Sequence, residues 1–103
     1  MPTTEAFTYK KEQVFMDMQH YANGQSDITL LTIDGEVQAV ATVAIDVRLA
    51  EDEIAIKNYS ENEGMLEFLQ EVGIIKPPHR FVPSGYVNIP ICRIAEDARY
   101  LWF

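Results

Sequence analysis

Apolar and polar positions alternate with a period of two through much of the first half of the chain. Phe7-Thr8-Tyr9 is a short strand candidate, and Lys10-Lys11-Glu12 is a polar break after it. Over residues 14–21, Val14, Met16 and Met18 alternate against Phe15, Asp17 and Gln19, the pattern of a half-buried strand. Asn23-Gly24-Gln25-Ser26 reads as a loop. Residues 28–33 and 36–43 are β-rich and flank Asp34-Gly35. That pair predicts a hairpin closed by a two-residue type I′ turn, in which both central residues take positive φ. Residues 46–52 read as a connection and 53–57 as a short alternating strand.

The period then lengthens. Ser60-Glu61-Asn62-Glu63 fits a capping box, with the Ser60 hydroxyl on the Glu63 amide and the Glu63 carboxylate reaching back to Ser60. Met65, Leu66, Leu69 and Val72 share one helical face, which Phe68 widens. Gly73 stands where a left-handed C-cap residue belongs, Ile74 follows it, and Pro77-Pro78 stops any continuation. The spacing predicts a helix over 61–72. Residues 79–85 read as a Pro-containing loop and 86–94 as a strand, which Pro90 confines to an edge or a bulge. Residues 95–103 fit either a turn of helix or an irregular tail. Leu101-Trp102-Phe103 is too apolar for a free end, so it packs down or meets a second copy in a homo-oligomer. The sum is an α+β domain spanning 1–103: an antiparallel sheet of about five to six strands with one helix on a face.

Composition narrows the classes. The chain has 103 residues, of which 48% are apolar, enough for one core and one domain. It carries 16 acidic and 8 basic residues, a net charge of −8, which makes it a poor ligand for nucleic acid. One cysteine cannot form an internal disulfide, and the ligands of a zinc ribbon are missing. No apolar run approaches the roughly 20 residues of a membrane span, and the first residues lack the features of a signal peptide. A cytoplasmic domain is therefore expected, with no membrane partner, no cofactor and no metal.

Several of these features occur together elsewhere. Tyr21-Ala22-Asn23-Gly24, the Asp34-Gly35 hairpin, Leu49-Ala50-Glu51-Asp52-Glu53, a single helix closing on Val72-Gly73-Ile74, and Ser84-Gly85-Tyr86 follow one another in this order. In this the chain resembles a small uncharacterised family, about a hundred residues long, of bacterial phages, plasmids and conjugative elements. The likeness spans residues 7–94. It departs at Asn58-Tyr59-Ser60 and at the apolar C-terminus. It implies a mobile-element setting and no particular chemistry.

Two charged constellations stand out. Glu63, Glu67 and Glu71 recur at i, i+4 and i+8, which on one helix is a line of carboxylates about 6 Å apart. Glu51, Asp52 and Glu53 precede them, and Lys57 is the one base between residues 51 and 71. Such a row imitates phosphate spacing and suits a basic nucleic-acid-binding protein of host or phage; the plainer alternative is a solvated face. The second constellation lies in residues 76–103, which hold four bases against two acids. Lys76, His79, Arg80 and Tyr86, joined by Arg93, make an alternative site for a small molecule or nucleotide. Cys92 sits in an apolar strand, where a buried structural thiol is expected. His20 and His79 form no metal-ligand spacing, and no phosphate-binding glycine motif is present. The expected function is non-enzymatic binding of a host or phage protein through the acidic surface.

Overall fold

The computed structural model describes residues 3–102. Strands β1 (Phe7–Tyr9), β2 (Glu12–His20), β3 (Ser26–Leu31) and β4 (Val37–Val40) pair antiparallel in sequence order. Strands β5 (Glu53–Ala55), β6 (Arg80–Ser84) and β7 (Val87–Arg93) form a second antiparallel sheet in the order β5-β7-β6. Helix α1 (Met65–Glu71) and two 3-10 segments, Ser60–Asn62 and Glu96–Trp102, complete the chain. The class is α+β, as expected. The strands divide into sheets of four and three, instead of one sheet of five or six. Ala41 marks the division: its N–H donates to Ile28 O at 2.8 Å, while its carbonyl accepts from Lys57 N at 2.9 Å. An isolated bridge from Thr42 to Ile56 then joins the two sheets.

The main core lies between the sheets and the helix. Val14, Met16 and Met18 of β2 and Ile28 and Leu30 of β3 meet Met65, Phe68 and Leu69 of α1, with Ile54 and Cys92 from the second sheet. Burying each of these large side chains contributes about 2 kcal/mol. The second sheet has a further apolar face, where Ala55, Ile89 and Ile91 pack with Ile45 under Val43, Leu49 and Tyr59. Strand β7 is thus covered on both faces, which is why its sequence runs apolar without alternating.

Four local expectations are corrected. The Asp34-Gly35 turn is not type I′, because only Gly35 takes positive φ there (+85°). Gly35 N–H donates to Thr32 O at 2.9 Å and Thr32 N–H to Glu36 O at 2.7 Å, a three-residue loop ending in a glycine bulge. Positive φ at two successive residues occurs instead at Lys10 and Lys11, between Tyr9 and its partner Glu12. Residues 80–84, read as a loop, form β6, and Gly85 with φ +62° turns the chain tightly into β7.

The helix begins four residues later than 61, at Met65. Asn62 is buried, and its side-chain amide donates to the carbonyls of Val40 and Lys57. That tie bends the chain through a 3-10 turn and through Gly64 at φ +95°, so the Ser60 capping box does not form. Asn58 caps the helix from outside, its Oδ1 accepting from Leu66 N at 2.8 Å. The other end follows the sequence: Ile74 N–H donates to Leu69 O at 3.0 Å and Gly73 N–H to Gln70 O at 3.1 Å, a Schellman motif.

Pro90 lies in the central strand of its sheet, not at an edge. Its carbonyl accepts from Ile56 N at 3.1 Å, one position past the last β5–β7 pair. The donor that proline lacks therefore falls where that ladder ends, and the cost is small.

Candidate functional site

The two charged constellations read from the sequence meet in part: Asp52 and Glu53 of the first pair with His79, Arg80 and Arg93 of the second. Glu53 is 8% exposed, and both of its oxygens are engaged. Oε1 accepts from Ala50 N at 2.9 Å and from Arg80 Nη2 at 3.1 Å; Oε2 accepts from Arg80 Nε at 3.2 Å and meets His79 Nε2 at 2.7 Å. The Arg80 fork, then the Ala50 amide, hold its carboxyl down at about 2. A carboxylate this acidic and this enclosed is a poor base near neutral pH. It ties β5 to β6 across β7. Asp52 accepts a single bond from Arg93 Nη1 at 2.9 Å, and this pair is exposed. Glu53 of the expected acidic set is thus buried and fully paired, and Asp52, His79, Arg80 and Arg93 are engaged in ion pairs while staying partly exposed.

The remaining members stand apart. Glu67 and Glu71 are exposed on α1. Glu63 precedes the helix and is separated from it by Gly64, so the three carboxylates are not one rigid line. Glu51 is exposed beyond them, Lys76 is exposed after the helix, and Tyr86 projects fully into solvent at the β6–β7 turn. Leu101 and Trp102 are half-buried against the main core, and Trp102 Nε1 donates to Gln19 O at 3.1 Å. Phe103 lies outside the described residues.

Cys92 is fully buried, and burial pushes its thiol up to about 12, so it is protonated and inert at neutral pH. Among the described residues, no group of three or more His, Cys, Asp and Glu side chains is placed to hold a metal. No described helix is long and apolar enough to cross a membrane.

A different surface assembles itself on the β1–β4 sheet. Its inward positions build the core; its outward positions include Phe15, Leu31, Val37 and Val40, which belong to neither core cluster. The register sets them side by side: Phe15 opposes Leu31, Leu31 opposes Val37, and Val40 opposes Thr29. Ile33, at the hairpin tip beyond them, is 71% exposed and Val37 is 65% exposed. Asp17, Asp27 and Glu36 lie on the same strands or beside them. Residues 12–47 contain six acids and no lysine or arginine. The sequence does not single out this surface, because residues 28–33 and 36–43 read as β-rich runs without a marked outer face. The available signal was Phe15, an aromatic in register with Asp17 and Gln19 on the polar side of β2.

Comparison with known proteins returns no matching family model, no matching curated protein and no matching solved structure.

Proposed function

We propose that the chain is a non-enzymatic domain that binds a basic protein through the outer face of its β1–β4 sheet. The observation that supports this is the apolar group of exposed Ile33, Val37 and Val40 beside half-buried Phe15 and Leu31, set in a stretch that carries carboxylates and no lysine or arginine. Apolar contact supplies affinity; surrounding charge selects the partner and speeds encounter. The fitting surface is an apolar anchor ringed by Lys and Arg. Glu63, Glu67 and Glu71 add long-range attraction from another side of the molecule. In the mobile-element setting that the resemblance implies, the partner is a host or phage protein. Nucleic-acid-binding proteins carry surfaces of this charge.

The test is calorimetric titration with a short peptide alternating lysine and valine. The double substitution Ile33→Lys and Val37→Lys should weaken binding roughly tenfold or more. Substituting Glu63, Glu67 and Glu71 together by Lys should leave most of the affinity at moderate salt. The reverse ranking would place the site on the carboxylates of residues 63–71 and overturn this reading.

A further inference from the structure

A cleft of about 580 Å³, within the usual size of small-molecule sites, opens on another side of the fold. Its walls are the β2–β3 loop, residues 45–51 and the C-terminal 3-10 segment. Of the four arginines in the chain, Arg80 and Arg93 are held by Glu53 and Asp52. The other two, Arg48 and Arg99, have no carboxylate partner among the described residues, and both line this cleft. In a chain of net charge −8, two unpaired guanidinium groups in one concavity are a directed arrangement. Half-buried Trp102 supplies part of the wall, its ring fixed by the bond to Gln19 O.

The opposite wall is pre-formed. Gln25 Oε1 accepts from Ile45 N at 2.9 Å, and its Nε2 donates to Ile45 O at 3.1 Å and Val47 O at 2.9 Å. Asn23 Nδ2 adds a bond to Ile45 O at 3.3 Å. These amides are committed to the backbone, which leaves the arginines, His20 and Trp102 for a ligand. Asp46 and Glu51 also line the cleft and disfavour a polyanion.

We infer that this cleft binds a small planar anion: one aromatic or heteroaromatic ring bearing a single acidic group. The ring stacks on Trp102, and the carboxylate or phosphate takes the fork of Arg48 or Arg99. This site is independent of the protein-binding face.

Trp102 is the single tryptophan, so its fluorescence reports the site directly. The protein is titrated with a nucleoside monophosphate, an aromatic carboxylate and the uncharged nucleoside. A saturable change with either anion, and none with the nucleoside, is expected; whichever anion binds more tightly names the acidic group. Replacing Arg48 and Arg99 together by Ala should weaken binding roughly tenfold or more, and the single variants show which of the two forks the anion takes, while Arg93→Ala should not weaken it. Both arginines are exposed, so the variants fold. No change with either anion, equal binding of the nucleoside, or binding intact in the double arginine variant would overturn the assignment.

Discussion

Glu53 is an ion-pair anchor within the second sheet, held by Arg80, His79 and the Ala50 amide. Its carboxyl is depressed to about 2 in the folded chain. The stability this contributes is therefore present above the unfolded carboxyl value near 4.5 and is lost as pH falls toward 2. The loss amounts to at most about 3 kcal/mol. Glu53→Gln should cost about 2 kcal/mol at pH 7 and should flatten this acid limb, as read by denaturant unfolding across that window. An acid limb unchanged in the variant would assign it to other carboxylates. Cys92 gives a second residue-scale test. Its buried, protonated thiol should resist an aromatic disulfide reagent in the native state and react only on unfolding. Rapid native labelling would contradict the packing. The buried thiol was legible from its apolar strand. The Glu53 cluster was not, because it joins residues 26 and 27 positions apart through the β5-β7-β6 register.

At the scale of elements, local chemistry decided the ends that no tertiary contact contests. The Schellman end at Gly73 and the period-two strand β2 follow directly from the sequence, as does the hairpin of β3 and β4 around Asp34-Gly35. The helix start does not, because a buried side chain overrides it: Asn62 must satisfy Val40 O and Lys57 O, and the capping box loses to that demand. Asn58→Ala should therefore cost about 1 kcal/mol, whereas Ser60→Ala should change stability by no more than a few tenths. Equal costs would restore the capping box. The turn at Lys10 and Lys11 holds two non-glycine residues in the left-handed region. Lys11→Gly should relieve about 1 kcal/mol of strain, partly offset by the freedom glycine gains in the unfolded chain. A rise in melting temperature of a few degrees is expected. Pro90 carries the same lesson. Proline argues for an edge only where its missing donor faces a continuing ladder, and that depends on the length of β5.

At the scale of the whole molecule, charge is partitioned by pairing. The arginines on the second sheet are neutralised by carboxylates that the sequence had counted as free. The β1–β4 sheet keeps its negative charge and its exposed apolar side chains, and the cleft keeps two arginines. Net charge and charge runs were readable from composition. Which charges survive pairing was not, since strand register decides it. On the function proposed above, the outer face of the β1–β4 sheet docks a basic partner. Amide chemical-shift mapping during titration with the lysine–valine peptide tests it most directly. Shifts are expected at Phe15, Leu31, Ile33 and Val37–Val40, with the α1 amides unmoved. Shifts centred on residues 63–71, with this face silent, would contradict it.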